Sequence, residues 1–138
     1  MDGIDSQLSG VAAQVLYAYA KGIDERDEEL LAALVVDDVA LTRIDGTRHG
    51  REAFLDLYRE FWASPVVRSK HSITNVRATA QSDGTVLVDA YFLAVMIDPE
   101  DGRMVLGSYS DSLRCVGSEY LISHKRIVID HVFSLQEV

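Results

Sequence analysis

The chain has 138 residues, 48% hydrophobic and 25% charged, and its 22 acidic against 13 basic residues give a formal net charge of -9. That length and apolar fraction suit one globular domain over residues 1–138, and no apolar run approaches the ~18 residues of a membrane span. The acidic balance argues against nucleic acid and anionic membrane as partners, because both require clustered positive charge to displace counterions.

The opening, Met1-Asp2-Gly3-Ile4-Asp5, has neither the basic nor the apolar region of a signal peptide, so a cytoplasmic location is expected. Leu8, Val11, Ala12, Val15, Leu16, Tyr19 and Ile23 then recur at steps of three and four, which predicts an amphipathic helix running to about Gly22. Ser6 or Ser9 can cap it. Asp24 follows on an otherwise apolar approach. It lies about 140° around an ideal helix from Tyr19, and the two can reach one cavity if the last turn loosens at Gly22. Asp24 also fits a solvated acidic run with Glu25, Asp27, Glu28 and Glu29.

Asp27 is placed as the N-cap of a second helix, Glu28 to Val35, with acidic residues in its first turn where the dipole favours them. Asp37-Asp38 is expected to break it. Val39 to Ile44 reads as a short strand, Asp45-Gly46 as a tight turn, and Thr47 to His49 as the returning half of a hairpin. Gly50 opens a third helix, Arg51 to Trp62, whose Phe54, Leu55, Tyr58, Phe61 and Trp62 form one apolar stripe, and Ser64-Pro65 stops it.

Four strands follow, over 66–81, 85–97, 104–116 and 120–133, separated by short turns containing Gly84, Gly102 and Gly117. Short turns predict antiparallel neighbours, and strands of this length bend and curl. The strands at 85–97 and 120–133 are apolar on both faces. This points to helices on one side and a subunit interface or a lined pocket on the other. The layout is α+β. A strongly curved antiparallel sheet wrapped around three N-terminal helices makes a cone with an apolar interior, a natural small-molecule site.

Polar side chains in such strands cost free energy unless paired. His71 lies on the first long strand, Asp89 and Tyr91 on the second, and Tyr109 and Asp111 share a face of the third. His124, Arg126 and Asp130 share a face of the last, with Val128 and Val132. Each has a plain structural reading. His71 can be a hydrogen-bonded strand residue, Asp111, Arg126 and Asp130 a cross-strand ion pair, and Asp89 a partner of Lys70 or Arg77. His49 in the hairpin is expected to be exposed, and Cys115 to be core filling, the single cysteine excluding an internal disulfide. The histidines at 49, 71, 124 and 131 lack metal-site spacing, and there is no P-loop, G-x-S-x-G or G-x-G-x-x-G. By elimination any chemistry is cofactor-free proton transfer.

Tyr19-Ala-Lys-Gly-Ile-Asp24-Glu-Arg-Asp27, Asp37-Asp38-Val39, Gly50-Arg-Glu-Ala-Phe54, His71-Ser-Ile-Thr-Asn75, Tyr91, Gly107-x-Tyr109-x-Asp111 and Arg126-Ile-Val-Ile-Asp130 together resemble the SnoaL-like branch of the NTF2-like superfamily over nearly the full length. The resemblance implies the cone-shaped α+β barrel, also called cystatin-like, commonly a homodimer or higher oligomer through the outer sheet face. Relatives include polyketide cyclases, ketosteroid isomerase, scytalone dehydratase, a bile-acid dehydratase and a hexachlorocyclohexane dehydrochlorinase. In the eliminating enzymes an aspartate ending the first helix works with a histidine on the first long strand, and Asp24 and His71 match that pattern. Tyr19 matches the tyrosine of the bile-acid dehydratase pattern, and Arg126 falls near an arginine on the last strand.

The resemblance therefore implies a cofactor-free lyase or isomerase acting on a small hydrophobic ligand, with Asp24, His71, Tyr19 and Arg126 as catalytic candidates. Tyr109, Tyr91, Asp89, Asp111, Trp62 and Phe54 are candidate substrate contacts, and no metal is implied. Asp24 would fix the tautomer of His71, which would move the proton. Two other readings stay open. One is a binding module in which the cone holds an apolar ligand without chemistry. The other is an assembly subunit resembling the small subunits of ring-hydroxylating dioxygenases, its pocket filled by its own side chains.

Overall fold

The computed structural model describes residues 3–136. Helix α1 spans Ser6–Asp24 and lays Ala12, Leu16, Tyr19, Ala20 and Ile23 into the core. Its cap is Asp5 rather than a serine: the Asp5 carboxylate accepts from the Leu8 N–H at 2.9 Å. Ser9 instead donates to the Asp5 carbonyl and accepts the Ala78 N–H at 2.9 Å, tying the helix to the sheet. Gly22 does not loosen the last turn. It lets α2 approach, since a Cβ there would lie 2.7 Å from Leu31 Cδ2.

Helix α2, Glu28–Ala33, is capped by Asp27, whose carboxylate accepts from the Leu30 N–H at 3.0 Å. The chain enters β1, Val35–Arg43, earlier than expected. Asp37 and Asp38 are part of that strand because both side chains are exposed and pay no burial cost there. Strand β2, Gly46–His49, pairs back antiparallel as the hairpin. Helix α3, Arg51–Ala63, buries Phe54, Leu55 and Tyr58.

The meander follows: β3 Arg68–Ala80, β4 Val86–Ile97, β5 Gly102–Val116 and β6 Glu119–Leu135, each antiparallel to the next. The sheet has six strands in the order β2-β1-β6-β5-β4-β3. It is mixed rather than wholly antiparallel, because β1 lies parallel to β6. The crossover between them consists of β2, α3 and strands β3 to β5, long enough to return the chain in the same direction.

Pleating sorts the side chains. On β4, Val86, Val88, Ala90, Phe92 and Ala94 are buried with the helices, while Leu87 and Tyr91 face outward. The outer face also exposes Leu106 and Val128. Bulges bend the strands and strengthen the twist. One lies in β3 between Thr74 and Arg77, where Asn75 has φ 56; another shifts β6 against β5 between Leu106 and Gly107. The second bulge changes the inward-facing set on β6. Ile127 and Ile129 point inward, Asp130 is the extra residue, and Val132 is turned inward beyond it. The expected common face of His124, Arg126, Val128, Asp130 and Val132 is therefore split. Cys115 is exposed near the end of β5 rather than filling the core, and His49 is exposed. No helix among the described residues is long and apolar enough to cross a membrane.

Candidate active site

Asp24 is the last residue of α1, and α1 rests on β3, so its carboxylate meets the inward-facing residues of that strand. Ser69 Oγ donates to Asp24 Oδ1 at 2.8 Å, and the His71 backbone N–H donates to Oδ2 at 2.7 Å. The His71 ring bonds through Nδ1 to Oδ1 at 2.6 Å. Burial pushes the Asp24 carboxyl up, but the hydrogen bonds from the His71 ring, the His71 backbone and Ser69 outweigh it and hold the group below its ordinary value. An ionised carboxylate only accepts, so Nδ1 is the donor and the proton-free lone pair of the neutral ring is on Nε2. No described residue hydrogen-bonds Nε2.

His71 forms part of the wall of a cavity of about 250 Å³ in the hollow of the sheet. Tyr19, Tyr58, Tyr109, Phe61 and Phe92 supply aromatic walls, and Ile23, Leu57, Met96, Val105 and Ile127 aliphatic ones. Gly107 makes this packing possible: a Cβ there would lie 2.4 Å from the Phe92 ring, which stacks on Tyr109 with centroids 4.5 Å apart. The hydroxyls of Tyr19 and Tyr58 hydrogen-bond each other across α1 and α3. Burial pushes all three phenols above the ordinary tyrosine value, so each stays protonated and able to donate.

Behind this wall lies a fully buried ion pair. Lys125 Nζ bonds Asp111 Oδ2 at 2.7 Å and sits 3.3 Å from the Tyr109 ring centroid and 4.0 Å from that of Tyr19. The backbone N–H of Arg126 donates to Asp111 Oδ1 at 3.2 Å. Burial pushes the Asp111 carboxyl up and the Lys125 ammonium down, and each opposes the shift in the other.

The cavity brings together Tyr19, His71 and Tyr109, with Asp24 directly behind the histidine. The other expected residues lie elsewhere. Arg126 alternates with inward-facing Lys125 and Ile127, so its guanidinium reaches the Ser110 carbonyl at 3.3 Å and donates to His124 Nδ1 at 3.1 Å, away from the cavity. Tyr91 is 59% exposed on the outer face, where Asp89 also points, paired in register with Arg77. Asp111 is occupied by Lys125, which replaces the cross-strand ion pair expected among Asp111, Arg126 and Asp130. Trp62 donates its indole N–H to the Ile23 carbonyl at 2.9 Å and holds α3 to α1. Phe54 is core, packed on Tyr58 with centroids 5.1 Å apart.

Four residues escaped notice in the sequence. Tyr58 was legible as a member of the α3 stripe but carried no polar signal. Arg43 and Arg103 line the cavity. Arg43 is in phase with inward-facing Val39 and Leu41, and Arg103 with Val105 and Tyr109. Lys125 is in phase with Ile127. Strand period places Arg43 and Arg103 beside buried apolar neighbours, whereas on β6 it leaves Lys125 undecided. Among the described residues no three His, Cys, Asp or Glu side chains gather as a metal site.

The family model for the SnoaL-like domain matches residues 12–126. A search of the curated proteins finds no match. Among solved structures, a proposed scytalone dehydratase from Novosphingobium aromaticivorans DSM 12444 superposes with a TM-score of 0.82 at 17% identity, covering 93% of this chain and 87% of that one. A hexachlorocyclohexane dehydrochlorinase, LinA-type3, from Novosphingobium barchaimii LL02 gives 0.81 at 20% identity, covering 96% and 97%. A protein with a cystatin-like fold from Nostoc punctiforme PCC 73102 gives 0.73 at 16% identity, covering 93% and 95%. At these identities the likeness establishes the fold, the NTF2-like cone.

Proposed function

This chain belongs to the SnoaL-like domain family, and from that premise we propose that it is a cofactor-free lyase or isomerase of the dehydratase or cyclase type. Its substrate is a small hydrophobic molecule held in the cone. The observation that carries the reading is the hydrogen bond from His71 Nδ1 to Asp24 at 2.6 Å, made by a histidine that also forms part of the wall of an apolar cavity.

His71 Nε2 removes a proton from carbon beside an activating group. The Asp24 carboxylate holds the ring in the right tautomer and stabilises the imidazolium that forms. The imidazolium then returns the proton, either to a departing hydroxyl, which leaves as water, or to a neighbouring carbon, which isomerises the substrate. The Tyr19–Tyr58 pair uses one hydroxyl proton internally and has one left for a substrate oxygen on which negative charge builds. A positioned general base of this kind contributes roughly 10²–10⁴-fold. Two structural relatives are named for eliminations, a dehydratase and a dehydrochlorinase. The assembly reading expects a hollow filled by the chain's own side chains, and an open cavity of about 250 Å³ speaks against it.

The test needs no knowledge of the natural substrate. The protein is incubated in D₂O with a panel of cyclic and aromatic ketones, starting with 2-tetralone, and exchange at the carbon beside the carbonyl is followed by NMR. Exchange faster than in buffer and lost in His71→Gln is expected. Exchange at the buffer rate across the panel, or unchanged in His71→Gln, overturns the reading.

A further inference from the structure

Cavity-lining residues can be ranked by depth from the strand register. His71 is level with Ala94, Val105 and Val132 across β3, β4, β5 and β6. One inward-facing residue further toward the open end, Arg103 stands opposite Met96 and Ser134. Two inward-facing steps the other way, Tyr109 is level with Ile127, and the neighbouring β1 brings Arg43 to that depth, since Thr42 pairs with Arg126. His71 therefore lies between two guanidinium-bearing levels, one outer and one inner, both belonging to the same cavity.

Neither arginine makes a salt bridge or side-chain hydrogen bond with any described residue. Arg48, Arg51, Arg59 and Arg114 on the surface do pair with carboxylates. No described Asp or Glu lines the cavity, in a chain whose net charge is -9. Asp24 and Asp111, behind the walls, are already occupied by His71 and Lys125, and Asp45, which borders a second pocket with Arg43, forms no salt bridge with it. Arg103 is exposed and can be solvated. Arg43 is half-buried among apolar and aromatic walls, close enough to Tyr58 for its charge to favour the phenolate. A guanidinium held there with five donors and no acceptor fits a planar anion.

We propose that the substrate is an anion, a hydrophobic aromatic or alicyclic carboxylate. Its carboxylate is held by Arg43 beside the Tyr19–Tyr58 pair, its apolar body passes His71, and Arg103 draws it in at the mouth. The proposal rests on reading this cavity as the substrate site. It adds the charge of the ligand and names Arg43 as the residue that sets specificity. Arg126, a catalytic candidate by resemblance, has no such role because it faces the other side of the sheet.

The test is a binding measurement independent of turnover. Isothermal titration compares 2-naphthoate with neutral 2-naphthamide on the intact protein. The carboxylate should bind about tenfold tighter or more, the usual margin of a charge-assisted pair. Arg43→Gln should remove that preference and leave naphthamide affinity unchanged, which also reports that the variant is folded; Arg43→Lys should keep part of it. Arg103→Gln should lower naphthoate affinity at low salt and flatten its salt dependence, while the preference over naphthamide persists at high salt. Equal affinity for the two ligands, no binding of either at millimolar concentration, or a preference that survives Arg43→Gln overturns the proposal. His71→Gln should keep the carboxylate preference. A preference that stands while ketone exchange fails separates this proposal from the catalytic reading.

Discussion

Asp24 grips His71 at two points, taking the ring Nδ1–H at 2.6 Å on one oxygen and the backbone N–H of the same residue at 2.7 Å on the other. The end of a helix thus fixes both the position and the ring orientation of a strand residue 47 positions away. Asp24→Asn replaces one acceptor by a donor facing a donor. His71→Gln keeps a polar group and removes the ring. Each should lower ketone exchange by ~10²–10⁴-fold. Far-ultraviolet circular dichroism should be unchanged in both, and exchange at the parent rate in either would dismiss the pair.

The tyrosine pair predicts coupled effects. Tyr19→Phe or Tyr58→Phe leaves one buried hydroxyl without its partner and should cost about 1–3 kcal/mol of stability. The double variant removes both and should cost less than the sum, as a double-mutant cycle in urea would register.

Lys125 and Asp111 predict a rescue. Lys125→Met strands a carboxylate at 0% exposure and should destabilise by about 3–5 kcal/mol. Adding Asp111→Asn removes the stranded charge and keeps an oxygen for the Arg126 N–H, so much of the loss should return. Denaturant midpoints of the single and double variants decide it.

Stability should respond to pH in two windows. Burial, then the Arg126 and His49 charges, lower the His124 pKa below its ordinary 6.5, so the unfolded chain binds that proton first. The contribution is complete above pH 6.5 and declines as pH falls through that value toward the folded one. Asp24 is also lowered, so its contribution is complete above its ordinary 3.8 and is lost as pH falls toward and through the folded pKa. The difference in denaturant midpoint between the parent and His124→Gln should vary between pH 7 and 5 and be flat above pH 7.5.

Periodicity carried most of the fold. α1, α3, the β1–β2 hairpin and the meander could be read because their apolar spacing and turn residues agree with the tertiary arrangement. The parallel pairing of β1 with β6 could not, since partners distant in sequence leave no local mark. Asp24 and His71 stood out as polar residues on apolar stretches. Arg126 and Lys125 were exchanged because a strand shows which residues alternate and not which set faces in, and the β6 bulge hid the apolar evidence that would have decided it. Tyr91 and Asp89 were misplaced for a related reason: β4 is apolar on both faces, so its pattern names no inside.

The parallel contact between β1 and β6 also governs the order of assembly. Residues 44–118 lie between the two strands, so the hairpin made early in synthesis has no neighbour on its inner edge until the final strand emerges. Topologies dominated by such distant pairings reach the native state in milliseconds to seconds rather than microseconds. While the nascent chain waits, that bare edge is the place where a chaperone, or another nascent copy, would add a strand.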